Sequence, residues 1–271
     1  MRWDFPTVMV ALVAVCGVLW LLDVVWWAPA RRKHSTPSID ENGQEVLNEP
    51  AMPKVVEYAR SFFPVFLFVL ILRSFIVEPF RIPSGSMMPT LLDGDFILVN
   101  KYEYGIRLPV LDTKVIDVGV PERGDVVVFR YPVDPAIPFI KRIVGLPGDV
   151  VEYRNKTLYL NGNVVEQTKV KTYLGTGSGS DATGSIHLRE ALPGAEHDIL
   201  IDPRSPRRLP GQWKVPKGYY FVLGDNRDNS QDSRFWNFVP DEYLIGRAFM
   251  IWFNWDWGHG QDWGRVGTSI E

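Results

Sequence analysis

Cysteine is nearly absent: Cys16 is the only one in 271 residues, so the chain forms no internal disulfide and its fold stands on its core alone. That count is compatible with either side of a membrane. An excess of charge of one sign is also missing. Lys and Arg total 29 against 32 Asp and Glu, and a net charge of -3 supplies no basic field for phosphate backbones, which argues against a nucleic-acid partner. No cluster of His, Cys, Asp and Glu has the spacing of a metal site, so no metal and no organic cofactor is expected. Histidine is scarce. His34 falls on the cytoplasmic side, and His187, His197 and His259 lie in polar or loop-like contexts with no partner motif. The glycine pattern of a nucleophile elbow is absent around Ser86, so a Ser/His/Asp triad has no support. Beyond Phe80 there is neither a long amphipathic helix nor a βαβ rhythm, and no internal repeat, which excludes a parallel α/β fold for that part.

Two long apolar runs are present. The first, from about Thr7 to Trp27, is long enough to cross a hydrocarbon core of about 30 Å at about 1.5 Å per residue. Asp23 and the Trp26-Trp27 pair suit an interfacial end. Arg2 and the small residues of Ala28-Pro29-Ala30 also fit a cleavable signal peptide, but Arg31-Arg32-Lys33 follows at once as a stop-transfer cluster. The positive-inside tendency puts that cluster in the cytoplasm. The second run, from about Val56 to Val77, has its basic residues at its upstream end, at Lys54 and Arg60. Arg73 near its outer end is expected to snorkel to the headgroups. The expected division is a first transmembrane segment over 1–30, a cytoplasmic loop over 31–55, a second transmembrane segment over 56–77 and an outer domain over 78–271.

In that outer domain the apolar pattern shortens to strand-length pieces bounded by Gly, Pro and Asn. Strands are expected at Asp95 to Lys101, Asp125 to Tyr131, Phe139 to Val144, Val150 to Tyr153, Thr157 to Leu160, Val164 to Lys169, Tyr219 to Leu223 and Arg247 to Phe253. Asn161-Gly162-Asn163 fits a hairpin turn. The fold class is therefore mainly β: an antiparallel β domain with an inserted β-hairpin region at about 165–215, preceded by two transmembrane helices. Gly175 to Ser185, rich in Gly and Ser, is expected to be a mobile loop within the insert. The dense late tryptophans Trp252, Trp255, Trp257 and Trp263 fit core and rim packing or contact with headgroups.

The stretch from Ile82 to Leu91 carries a serine turn, Pro83-Ser84-Gly85-Ser86, only nine residues beyond Val77, a reach of roughly 30 Å at full extension. Ser86 therefore sits close to a bilayer. A serine nucleophile needs a base, and Lys141 is a candidate. In the extended segment Phe139-Ile140-Lys141-Arg142-Ile143-Val144, alternation puts Lys141 on one face with Phe139 and Ile143. Desolvation that lowers a lysine from about 10.4 toward 8 costs its charged form roughly 3 kcal/mol and leaves an amine able to act as a base. A lysine on a strand also simply protects an edge, and Pro-Ser-Gly-Ser is ordinary turn chemistry; spacing does not decide.

Four stretches decide it together: Pro83 to Met87 with Pro89-Thr90-Leu91; Gly94 to Val99; Arg123 to Phe129 leading into Lys141 to Asp149; and Gly224 to Arg234. In order and spacing they resemble bacterial type I signal peptidases, the membrane-bound serine proteases that remove signal peptides from exported proteins, in the two-span Gram-negative form. The resemblance covers Val56 to Pro240. It implies that Ser86 is the nucleophile and Lys141 the general base, that the Ser86 N–H and the Ser84 hydroxyl form the oxyanion hole, and that Ser230 orients the lysine. It implies structural charge pairs between Asp225 and Arg142 and between Asp232 and Arg234. Shallow apolar substrate pockets are expected around Phe80, Ile82, Met87, Leu91 and Ile140, taking signal peptides with small residues one and three positions before the cut. The implied setting is the bacterial inner membrane with the catalytic domain in the periplasm, the lipid bilayer as a partner and the secretion translocon nearby. Two departures stand out. Asn237 occupies a position after Trp236 where the family often has Gly, and the cysteine pair of some relatives is absent. Other readings are a narrower Ser/Lys processing protease for pilus or conjugation proteins, and a membrane-tethered, non-catalytic β binding module.

Overall fold

The computed structural model describes residues 5–33, 36–39, 45–48, 51–108, 113–206, 210–256, 258 and 260–271; His34, Trp257 and His259 lie outside them. The chain divides into two compact units, one holding the N-terminal helices and the other nearly everything from Ile76 on.

In the first unit, helix α1 (Phe5–Leu22) continues through a π-turn at Asp23–Trp27 into the helical turn Ala28–Lys33, and α2 (Lys54–Ile71) runs on through Leu72–Ile76. Both stretches, Phe5–Lys33 and Lys54–Ile76, are long and apolar enough to cross a membrane. The two helices pack through small-against-large contacts: Gly17 faces the Phe63 ring, which also meets Trp20 at 5.4 Å between centroids. Asp23 is buried and accepts two bonds from Arg31, eight residues on, at 2.5 and 2.9 Å. Arg73, expected to snorkel, lies 3.7 Å above the Phe5 ring, a cation–π contact. Between the helices, Thr36–Ile39 pairs antiparallel with Glu45–Asn48 where a plain loop was expected.

The second unit is built on a seven-stranded antiparallel sheet: β1 (Val77–Arg81), β2 (Asp95–Asn100), β3 (Val126–Arg130), β4 (Pro138–Gly145), β5 (Tyr219–Leu223), β6 (Val239–Pro240) and β7 (Leu244–Asn254), in the spatial order β6-β5-β4-β3-β7-β2-β1. Alternation in β2 is strict: Asp95, Ile97 and Val99 are buried and Phe96, Leu98 and Asn100 only partly so. β4, by contrast, is buried from Ile140 to Gly145 on both faces, which is why its period-two signal is weak. The strand β1 starts where the apolar run was expected to end. Glu78 and Pro79 suit an edge position, where a proline without an N–H leaves no ladder bond unmade. Phe80 extends the apolar cluster of Ile82, Met87, Leu91, Ile97, Val99, Val126, Val128, Ile140, Ala248, Ile251 and Ile270.

A second sheet runs from Val150–Arg154 through Thr157–Leu160 to Asn163–Val164, with Gly211–Lys214 on its other side. The Asn161-Gly162 hairpin turn forms as expected, both residues at positive φ (52° and 83°), the region that Asn and Gly tolerate. The inserted β-hairpin region is a three-stranded antiparallel meander, Glu166–Thr172, Ile186–Leu192 and Ala195–Ile201. Its last two strands escape the alternation test because they bury His187, Glu190 and His197. The Gly/Ser-rich segment is likewise not a loop free of contacts. It holds a 3-10 stretch at Gly177–Ala182, and Ala182 packs with Met88, Leu200, Leu92 and Tyr173, since its small side chain lets the turn settle on the surface.

The departure at Asn237 has a physical reading. It follows the short helix Ser233–Trp236 with φ 72° and ψ −110°, a conformation that glycine adopts without steric cost and other residues do not. Its side chain is exposed. Asn237→Gly is therefore expected to stabilise the folded protein by about 1 kcal/mol, read as a higher unfolding temperature in detergent; an unchanged or lower value contradicts this account.

Candidate active site

Ser86 is the middle residue of a 3-10 turn, Gly85–Met87, entered from an extended Ser84. In a first turn its N–H has no acceptor within the helix, which leaves that donor available. The turn is anchored on both sides. Met87 and Leu91 insert fully into the core cluster, while Asn226 donates its backbone N–H to the Ser86 carbonyl (3.1 Å) and its side-chain amide to the Gly85 carbonyl (2.9 Å). Gly224 is required beside it: a Cβ there would come within 2.2 Å of Ser230 Oγ and 2.6 Å of the Ser86 carbonyl oxygen.

Lys141 reaches the same point from β4. Its Nζ donates to Ser86 Oγ at 2.7 Å and to the Ile140 carbonyl at 2.7 Å, and the residue is 4% exposed. Burial pushes its amine down to about 8, against the pull of Asp232 and Asp225, which favour the charged form. The Phe139 ring, 5.6 Å from Nζ, supplies part of the apolar surroundings that alternation placed there. Ser84 is exposed, with its hydroxyl 3.4 Å from Ser86 Oγ. Ser230 is buried nearby, but its Oγ makes no well-formed hydrogen bond, to Lys141 or to any other described group; it sits against Asp232 and only helps to keep that carboxylate ionised.

The two expected charge pairs are in place and dry. Arg142 donates Nε and Nη2 to the two oxygens of Asp225 at 2.9 and 2.8 Å, and Thr90 Oγ1 adds a bond at 2.6 Å. Burial opposes ionisation of Asp225, but the Arg142 guanidinium outweighs it and holds the carboxyl below its usual range. Arg234 makes the same two-point contact with Asp232, both bonds 2.8 Å, and Asp232 also accepts the Gly224 N–H at 3.1 Å. Of the five residues expected to form pockets, Met87 and Leu91 have no exposed surface, Ile82 and Ile140 very little, and Phe80 is partly buried.

Sequence reasoning missed a third group. His197 is no loop residue: it lies on a buried strand position, 3.4 Å from Glu190 and 3.9 Å from Asp225. Glu190 in turn pairs with Arg227 through both its oxygens. Arg227 and Asn226 fall inside the motif Gly224 to Arg234, but nothing local marks Glu190 or His197. His187 is also buried, 3.1 Å from Asp198.

A serine hydroxyl held by a buried lysine that loses its proton near pH 8 permits the chemistry of a serine hydrolase with lysine as its base. The family model described as signal peptidase, peptidase S26, matches residues 55–255. Signal peptidase I of Pseudomonas fluorescens is 50% identical over 98% of this chain and 99% of its own, and that of Pseudomonas aeruginosa is 51% identical over 94% of each. A solved signal peptidase I from Enterococcus faecalis is 31% identical, covers 48% of this chain and 98% of its own, and has a TM-score of 0.30. The chain belongs to the signal peptidase family, peptidase S26.

Proposed function

We propose that this protein is a membrane-anchored serine endopeptidase that removes signal peptides from exported preproteins, with Ser86 as nucleophile and Lys141 as general base. The observation that carries the reading is the 2.7 Å contact between Lys141 Nζ and Ser86 Oγ in a water-poor site. The neutral amine takes the Ser86 proton as Oγ attacks the scissile carbonyl. The resulting lysinium gives that proton to the leaving amine, and a water then releases the acyl group by the same route in reverse. Developing charge on the carbonyl oxygen is met by the Ser86 N–H and the Ser84 hydroxyl. Ser230 sits against Asp232 and helps to keep that carboxylate ionised.

The substrate lies as an extended strand, with a side chain directed at Phe80 and Ile140 and stopped by Ile82, Met87 and Leu91 behind them. Because these are already packed, a large residue has no space without displacing the core, at a cost of about 1–3 kcal/mol. Changing the Ala immediately before the cut of a preprotein to Leu is expected to slow cleavage about 10- to 100-fold. Cleavage at the parent rate overturns this assignment of the pocket. The catalytic domain faces the periplasm of a bacterial inner membrane, a reading supported by the basic flanks Arg31-Arg32-Lys33, Lys54 and Arg60 upstream of the exits. The bilayer then holds enzyme and substrate on one surface, beside the translocon, and raises their effective concentration.

A further inference from the structure

We propose that Glu190 and His197, on the inserted meander, are positioning residues that clamp the Gly224–Arg234 loop and through it hold Ser86 and Lys141 in register. The proposal rests on the Ser/Lys reading of the site.

Glu190 and His197 face each other directly across the last two strands of the insert. Both are buried, a poor choice for stability alone, because two apolar residues would pack there without any desolvation cost. Their partners lie outside the insert. Glu190 takes Arg227 at both oxygens, a pair with no more than 1% exposure on either side, and Gln167 of the neighbouring strand steadies Glu190 Oε1 at 2.9 Å. His197 Nε2 lies 3.5 Å from Arg227 Nη2 and 3.9 Å from Asp225 Oδ1, so its ring is wedged between the two. Burial and the neighbouring Arg142 push this imidazole down to about 4, so at neutral pH it is an uncharged wedge. Burial works against the Glu190 carboxylate, but Arg227 keeps it ionised.

The backbone continues the clamp. The Leu200 N–H bonds to the Asp225 carbonyl at 2.9 Å, the Asp202 N–H to Asp228 at 2.9 Å, and Lys156 bridges Asp228 and the Asp202 carbonyl at 2.9 and 2.7 Å. The loop so held touches both halves of the site. Asn226, between Asp225 and Arg227, makes the two bonds to the Ser86 turn, and Asp225 grips Arg142, the residue next to Lys141. A shift of the loop therefore moves nucleophile and base independently, and about 1 Å of such misplacement is enough to cost a large factor in rate. The expected substrate contacts at Phe80, Ile82, Met87, Leu91 and Ile140 belong to an apolar cluster that includes none of Glu190, His197 and Arg227.

The test uses the full chain in detergent with a preprotein substrate. Glu190→Gln leaves Arg227 buried and unpaired, whereas the double variant Glu190→Leu with Arg227→Met removes both charges and keeps the volume, so it folds even where the single variant does not. A merely structural pair predicts that activity follows stability. The clamp predicts that they separate: the double variant unfolds near the parent temperature, its kcat falls by about ten-fold or more, and its KM stays within about two-fold. Parental kcat in the folded double variant overturns the proposal, as does a loss that only tracks the folded fraction. Ser86→Ala, assayed alongside, separates the two ideas: cleavage by that variant sinks the Ser/Lys reading, while an active double variant beside an inactive Ser86→Ala sinks the clamp alone.

Discussion

Ser86→Ala and Lys141→Arg each leave a preprotein uncut under conditions in which the parent chain processes it to completion, a fall in kcat of about 10³-fold or more. For Ser86 the reason is the loss of the attacking oxygen. For Lys141 it is protonation: a guanidinium stays charged throughout the accessible pH range and cannot take the serine proton even if it occupies the same space. The lysine amine is held at about 8, so the parent kcat/KM rises with pH through that value as the neutral form fills, and flattens above it. A profile that is level from pH 6 to 9, or normal cleavage by either variant, overturns the dyad.

The same burial has a consequence for stability, and its sign is opposite to that of a salt-bridged lysine. Below about pH 8 the lysine is charged in both folded and unfolded chains, and the folded state carries the whole cost of keeping that charge dry. Between about 8 and the ordinary value of 10.5 the folded state releases its proton first, so stability rises with pH across that window. At neutral pH the cost is about 3 kcal/mol. Lys141→Met should thus be inactive yet more stable than the parent by up to that order, a trade that active sites commonly hold.

Asp225→Ala is expected to destabilise the second unit by about 3–5 kcal/mol, because it strands Arg142 in a site with 1% exposure. Three hydrogen bonds vanish with the carboxylate, two from Arg142 and one from Thr90. Arg142 keeps its bonds to the Gly124 and Glu271 carbonyl oxygens at 2.7 and 2.6 Å, but its guanidinium loses its carboxylate partner beside Lys141. That added positive potential disfavours the lysinium and makes the amine a weaker base, so the high-pH plateau of kcat/KM falls as well. Asp225→Asn, which retains an acceptor, should lose less of both. Denaturant unfolding and cleavage rates measured on the same preparations check this, and an Asp225→Ala chain with parental stability sinks it.

Much of this molecule can be read along the chain. The two spans need only about twenty apolar residues each, β2 and the Asn161-Gly162 hairpin follow from alternation and turn chemistry, and the motifs around Ser86 and Lys141 carry the family. These are local properties, fixed by neighbours within a few residues. Where a strand is buried on both faces, as in β4, or buries charge, as at Glu190 and His197, the local pattern fails, because the partner that makes the placement favourable lies far away in sequence.

The sequence by itself thus determined a chain with two long apolar runs, a mainly β domain after them and the motif stretches of the S26 peptidases. Only the tertiary structure decided that Lys141, 55 positions from Ser86, comes to 2.7 Å from its hydroxyl with its amine dry, and that an inserted sheet reaches across 37 positions from Glu190 to grip Arg227. Desolvation and ion pairing depend on what closes around a group in three dimensions, and those neighbours are supplied by strands and loops that no local pattern brings together.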